Sequence, residues 1–321
     1  MLMNVRRLSI LLFLTLVSAS CQRAPVFVTE PGIGPDKWGS AWLIRRHIDP
    51  SAELVVADPV PRSGGVEFDT DTAELRRTAA STTYEKLLAR YAVEDETALA
   101  IGRIVRDMEI NTWGEKAMPH SSVIESRYRE LQTLLGRESV TQACYLQFFD
   151  ALADELERSR SPAEFGETLS ALSCDTPNAP VTSAVVAEIP LDEVLQQLRD
   201  KRSVVFIDTR EANEFDEYHI PGALRHPLRE IDEELAASLR SADLVVPYCV
   251  KDFRGYEAAR RLQALGIDQV AIMNPYGIKG WRRAGLPVVL PDGPDETRTL
   301  EALLDCARQP NRCLSEEAST S

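Results

Sequence analysis

The chain has 321 residues, 44% hydrophobic and 27% charged, with 36 Lys and Arg against 50 Asp and Glu for a formal net charge of −14. At roughly 150 residues per domain this predicts about two domains, and the chain is too apolar and too evenly charged to be disordered. The acidic balance excludes nucleic acid as the main partner, because a phosphate backbone needs a basic face, and 16 Gly with 19 Pro exclude collagen-like and low-complexity architectures.

At the amino terminus, Arg6 and Arg7 precede an apolar run from Leu8 to Val17, then Ser18-Ala19-Ser20 and Cys21. A charged start, a short apolar run and small residues form a secretory signal peptide over residues 1–20. The run is too short to span a membrane, which takes about 20 apolar residues. Cys21 resembles the lipidated cysteine of the bacterial lipobox, with Ser18 where Leu is usual. The resemblance implies a periplasmic protein of the bacterial cell envelope, anchored by lipid, and Gln22 after the Cys points to the outer membrane. A plain signal peptide with a chance Cys is the alternative.

Export suits the other cysteines. With Cys249 set aside, Cys144, Cys174, Cys306 and Cys313 are an even number in a disulfide-permissive compartment. Sequence proximity suggests Cys144 with Cys174 and Cys306 with Cys313; four free thiols are the alternative. No two Cys form a CxxC pair, and His47, His120, His219 and His226 are dispersed, so neither a metal nor a cofactor is expected.

Residues 26–175 read as a mostly helical domain. Glu53 to Ala57 is a short strand before Pro59 and Pro61. Tyr84–Tyr91 and Thr97–Met108 have helical spacing, the second with Leu99, Ile101, Ile104, Val105 and Met108 as its buried stripe. Ser122–Leu135, Ser139–Glu157 and Pro162–Leu172 are further amphipathic helices opened by Ser or Pro. The turn-rich stretch from Cys174 to Pro180 marks a domain boundary, with a linker over 176–184.

Residues 185–291 switch to strands alternating with helices. Val204–Ile207, Leu244–Tyr248 and Gln269–Met273 are strands, and Glu211–Tyr218, Glu230–Arg240 and Gly255–Leu265 are helices. The alternation predicts an α/β fold, an open parallel sheet with helices on both faces. Residues 292–321 are a polar tail with one short helix, Thr299–Ala307.

Ligands of open α/β sheets bind beyond the carboxyl ends of the strands. Asp208-Thr209-Arg210 and Cys249-Val250-Lys251-Asp252-Phe253-Arg254 occupy such ends. The second runs straight into a helix, so main-chain N–H groups and the helix dipole converge on Cys249. A thiol there is expected to be a thiolate near neutrality, with Arg254 and Lys251 as cations for an anionic substrate.

Three motifs carry a family resemblance. The stretch from Asp208-Thr209-Arg210-Glu211 through His219-Ile220-Pro221-Gly222-Ala223, the Val246-Pro247-Tyr248-Cys249 loop closing on Arg254, and Gly277-Ile278-Lys279-Gly280-Trp281 with Gly285-Leu286-Pro287 resemble the rhodanese family in the right order. The resemblance implies that Cys249 accepts a sulfane sulfur as persulfide and that Arg254 holds the anionic part of the donor. It also implies that the amides of Val250, Lys251, Asp252, Phe253 and Arg254 line the pocket. Asp208, Arg210, Glu214 and His219 match positions that brace the loop, and Trp281 is core. Four residues separate Cys249 from Arg254, the six-residue loop of sulfurtransferases; related phosphatases carry one residue more. Lys251, Asp252 and Phe253 depart from the commonest loop, and Asp252 puts a negative charge beside the cradle.

Ala41-Trp42-Leu43-Ile44-Arg45-Arg46-His47, with Ala98-Leu99-Ala100 and Ile104-Val105-Arg106, is similar to the chromate-resistance protein family over Asp36 to Asp107. Arg45, Arg46 and His47 either bind an oxyanion or form the polar side of a helix paired with acids. The leading expectation is an envelope-anchored sulfurtransferase whose partners are a small anionic sulfur donor, such as thiosulfate, and a thiol acceptor. The competing readings are an oxyanion (chromate or arsenate) redox protein that uses a second, resolving thiol, and a non-catalytic binding module.

Overall fold

The computed structural model describes residues 24–314, apart from 58, 62–63, 71, 79 and 111–115 and, between 159 and 185, all but 166, 169, 172 and 174. The expected signal peptide, Cys21, most of the helix expected over Pro162–Leu172 and the linker lie outside the described residues.

The amino-terminal part adds a small parallel sheet to its helices. β1 (Val26–Thr29) lies between β2 (Glu53–Val56) and β3 (Val66–Glu67), in register Val26 to Glu53 and Phe27 to Val66. α1 (Pro35–Leu43) takes Pro35 in its first turn, where the missing N–H is harmless. It is buried along its whole length against α2 (Thr83–Arg90), α3 (Glu96–Glu109) and α5 (Gln142–Arg158), and passes into a wider turn over Ile44–Ile48. α2 opens with a capping box between Thr82 and Glu85, and the Asp95 carboxylate caps α3 by accepting from the Ala98 N–H. The expected stripe of α3 is buried at Ile101, Ile104, Val105 and Met108, while Leu99 is half-buried and Ala98 takes the fully buried place. α4 (Ser121–Leu135) ends at Gly136, whose φ of +78° turns the chain into a single 3-10 turn at Arg137–Ser139, so α5 starts later than its sequence pattern suggested. The Cys144–Cys174 disulfide ties α5 to the chain that follows it.

The carboxy-terminal part is a parallel sheet in the order β4 (Ala187–Pro190), β8 (Ala271–Asn274), β7 (Leu244–Tyr248), β5 (Val204–Asp208), β6 (Leu224–Arg225), with β7 and β8 joined at the Val245–Val270 bridge. Val204–Ile207 and Leu244–Tyr248 are the continuous apolar runs that such a sheet, covered on both faces, requires. On one face α6 (Leu191–Arg199), α10 (Gly277–Arg283) and α11 (Glu296–Arg308) enclose a core of Val194, Phe206, Val246, Met273, Trp281 and Leu303. The Cys306–Cys313 disulfide closes the end of α11. On the other face lie α8 (Glu233–Leu239) and α9 (Phe253–Ala264); α7 (Ala212–Glu217) leads out of β5. That second core, through Phe253, Tyr256 and Leu262, is continuous with the amino-terminal core of Trp38, Tyr128, Tyr145 and Phe148. The two parts therefore share one apolar interior, and the junction falls beside the start of α9.

Candidate active site

β7 delivers Cys249 at its carboxyl end, and α9 begins at Phe253, so Arg254 lies in the first helical turn. Gly255 allows the helix to sit close to the strand: a Cβ there would be 3.1 Å from Pro247 O and from Tyr248 Cα. The Cys249 sulfur accepts from the Lys251 and Gly255 amides. The loop carbonyls point the other way, with Ile278 N–H donating to Cys249 O at 2.9 Å and Lys279 N–H to Val250 O at 3.0 Å. These donors open α10, and the chain reaches them through Gly277 at φ +65°, the left-handed region that favours glycine. A Cβ on Gly277 would fall on the Lys251 carbonyl and 2.6 Å from Val250 O. The Gly277-Ile278-Lys279-Gly280-Trp281 motif thus turns the loop carbonyls outward and leaves its amides facing the thiol.

The bracing residues act on the same loop. Arg210 and Asp208 form a buried ion pair (Nε to Oδ1 2.9 Å), and Arg210 also donates to the Tyr218 carbonyl. Between them Thr209 holds Tyr248 O, the last carbonyl before Cys249, with both its N–H (2.9 Å) and its hydroxyl (3.0 Å). Glu214 accepts from both terminal nitrogens of Arg254 at 2.9 and 3.0 Å. Burial alone would raise the Glu214 carboxyl; the Arg254 charge and its hydrogen bonds overcome it and hold the pKa at about 2. His219 turns away from the thiol: it stacks on Phe215 at 3.9 Å, bonds the Phe215 carbonyl and faces Glu296 at 3.8 Å. Trp281 is fully buried.

Three expectations need correction. The Cys249 thiol is not held as thiolate near neutrality. Burial, at 4% residual exposure, pushes its pKa up; Arg254 and the Gly255 and Lys251 amides pull it down, while Asp252 adds to the rise. Arg254 does not stand free for a donor, because Glu214 occupies its fork. Nor does Lys251 stand free as a second cation for the substrate: the amino-terminal part takes its side chain, together with those of Asp252 and Phe253, whose expected role lay in their amides alone. Lys251 pairs with Glu125, and Asp252 pairs with Arg129 and, at 2.8 Å, with Arg137. Phe253 meets Tyr128 edge-on at 5.8 Å, with the Arg129 guanidinium 4.4 Å over its ring. Val250 is buried in the same loop. Glu125, Tyr128, Arg129 and Arg137 are site-shaping residues that sequence reasoning missed. The charged departures at 251 and 252 were the signal that something had to neutralise them.

Beside Arg254, a narrow cavity of about 20 Å³ between the two parts is lined by Asp36, Lys37, Asp69, Arg77, Glu109, Arg229 and Glu257. Lys37 lies 3.3 Å and Arg229 3.1 Å from Asp69. Burial, reinforced by the charges of Asp69 and Glu109, pushes the Asp36 carboxyl up to about 7 against the Thr83 and Tyr84 N–H groups that donate to it. At the other candidate anion cluster, Arg46 donates to Asp150 at 2.7 Å, Arg45 to Ala52 O at 3.0 Å, and His47 lies 3.9 Å from Asp95. The structure thus satisfies this helix face from within.

Comparison with known proteins assigns both parts. Residues 27–156 match the family described as ChrB, C-terminal domain, and residues 191–284 match the rhodanese-like domain. A sulfurtransferase of Allochromatium vinosum is 33% identical over 109 residues, which are 34% of this chain and all of that protein. An uncharacterized protein of Synechocystis is 31% identical over 97 residues, 30% of this chain and 53% of that protein, so this chain spans about half of its length. Among solved structures, a thiosulfate sulfurtransferase from Pseudomonas aeruginosa is 27% identical with a TM-score of 0.30, over 33% of this chain and 20% of that one.

Proposed function

The chain belongs to the rhodanese-like family through residues 191–284, with a function of sulfurtransferase type, and on that premise we propose that Cys249 carries sulfur from a small anionic donor such as thiosulfate to a thiol acceptor. The Cys249 thiolate attacks the outer sulfur of the donor; the sulfur–sulfur bond breaks, and sulfite leaves with the bonding pair. An acceptor thiolate then attacks the terminal sulfur of the persulfide, takes it, and releases the Cys249 thiolate. One observation carries the reading: the Cys249 sulfur lies on the inward amides of Lys251 and Gly255 beside the Arg254 charge. Those groups stabilise a negative sulfur, whether thiolate or persulfide, at the moment each is formed.

The expected address supports a location in the bacterial envelope, with a lipid on Cys21. Two disulfides suit an oxidising compartment. Among the described residues Cys249 is the only cysteine outside a disulfide, which leaves the resolving-thiol version of an oxyanion reductase without its second thiol there.

Purified full-length chain is incubated with thiosulfate and its peptides are weighed. A gain of one sulfur atom on Cys249, with sulfite released in equal amount and neither in Cys249→Ser, is the expected result. No persulfide at any donor concentration ends the proposal.

A further inference from the structure

The loop carries its own obstacle. Asp252, whose side chain is 1% exposed, is a carboxylate in the turn that must hold a negative sulfur. Its neutralising partners are in the other domain, more than a hundred residues away in sequence: Arg129 on α4, and Arg137 in the 3-10 turn after Gly136. Both guanidiniums are also fixed against aromatic rings of the carboxy-terminal part. Arg129 lies over Phe253, and Arg137 lies 5.1 Å over Tyr256 and 4.7 Å over Tyr276. Phe253 and Tyr256 belong to the first turn of α9, the helix whose amide at Gly255 donates to the thiol. Charge and packing therefore converge on the same turn.

We propose that Arg129 and Arg137 are positioning residues for the reactive thiol: they cancel the charge of Asp252 and fix the first turn of α9, so that the cradle around Cys249 stays electropositive. The proposal rests on the reading of Cys249 as the reactive atom. The other charges facing the loop are already balanced. Lys251 meets Glu125 on α4, with Lys116 and Lys279 near it. Arg254 meets Glu214 from α7, with Glu109 on its other side. From β4, Glu188 lies 3.6 Å from Arg137 and bonds the Tyr276 hydroxyl at 2.9 Å. Removing the two arginines thus leaves Asp252 as the fully buried carboxylate of the loop with no cation paired to it, since Glu125, which also accepts from Arg129 at 3.1 Å, keeps Lys251, and Glu188 is exposed. An isolated rhodanese-like domain of this sequence would carry that defect.

The test reads thiol ionisation directly, from the ultraviolet absorbance of the thiolate as a function of pH, using full-length protein and subtracting Cys249→Ser. Arg129→Gln/Arg137→Gln is expected to raise the midpoint of Cys249 by about one pH unit or more. Arg129→Lys/Arg137→Lys should keep most of the wild-type value, and Asp252→Asn added to the Gln pair should bring the midpoint back down. Asp252→Asn alone, which keeps both arginines, should lower the midpoint below wild type and serves even where the double variant fails to fold. An unchanged midpoint in the Gln pair overturns the proposal, and so does a rise that Asp252→Asn fails to reverse, because then the charge of Asp252 is not the cause. The readout does not involve sulfur transfer. A wild-type protein that makes no persulfide but shows these shifts would sink the proposed function while leaving the cancellation of the Asp252 charge by Arg129 and Arg137 standing.

Discussion

Replacing Gly277 by Ala tests whether the turn before α10 shapes the thiol loop. Two penalties act at that position. A left-handed backbone costs a residue with a Cβ about 1–2 kcal/mol, and Gly277 sits there at φ +65°. The added methyl would also land on the Lys251 carbonyl and 2.6 Å from Val250 O, both main-chain atoms of the loop. Since side-chain flexibility cannot relieve a clash with main chain, the loop must retreat by on the order of 1 Å, enough to cost about 100-fold where reacting groups need near-contact geometry. The retreat would also stretch the bonds from Ile278 and Lys279 that hold the Cys249 and Val250 carbonyls outward. Gly277→Ala should therefore lose about 1–3 kcal/mol in urea unfolding and lower the rate of persulfide formation by about two orders of magnitude. Gly266→Ala is the matched control, because Gly266 also has a positive φ (+83°) but a Cβ there meets nothing within 4 Å. If Gly277→Ala loses no more rate than Gly266→Ala, the account of how the carbonyls are turned outward is wrong.

Two further predictions concern carboxyls whose acidity the fold shifts. Glu214 is held near 2 in the fold and would titrate near 4.5 when unfolded, so its contribution is present above the unfolded value and lost as pH falls through about 2. At 1.36 kcal/mol per unit this is about 3 kcal/mol at neutral pH, and Glu214→Gln should lose it; urea midpoints across the acid range should converge with wild type toward pH 2, and parallel curves would refute the linkage. Asp36 shows the opposite sign: with its carboxyl raised to about 7, the fold keeps a proton that the unfolded chain has released, and stability falls as pH rises from about 4 to 7. Asp36→Asn should flatten that decline, worth up to about 4 kcal/mol, and a wild type whose stability is constant across the window would refute it.

The sequence carried what is local. Uninterrupted apolar runs marked β5 and β7 because a sheet covered on both faces needs nothing else, and the spacing of Ile101, Ile104, Val105 and Met108 marked α3. The three rhodanese motifs placed Cys249 at a strand end, and proximity alone suggested both disulfides seen in the structure. β3 escaped notice because two residues show no period, and β1 because its apolar run, Val26 to Val28, is one residue shorter than the Leu54 to Ala57 run that marked β2. α10 escaped because its two glycines are there for close approach to Lys251 and Pro275 rather than for helix propensity. The pairs Arg129–Asp252 and Lys251–Glu125 span 123 and 126 residues, and no local pattern encodes a contact at that range. The ionisation of the thiol was misjudged for the same reason. The amides that pull its pKa down are neighbours in sequence, whereas the burial that pushes it up is a property of the folded chain that no local pattern encodes.

The burial of Cys249 has a chemical logic of its own. A thiolate open to solvent in an oxidising compartment is capped by disulfide exchange or driven up the oxidation ladder, at a rate that follows its exposure and ionisation. Cys249, at 4% exposure, presents little of its surface to such reactions. Shielding by burial also disfavours the charged sulfur that the chemistry needs, and a carboxylate enclosed in the same turn would deepen the loss. Arg129 and Arg137 ease that conflict, because the elements packed against the loop also neutralise Asp252. Without the two arginines, Asp252 would stay enclosed beside the thiol with its charge uncancelled, and the sulfur would be too weakly ionised to react.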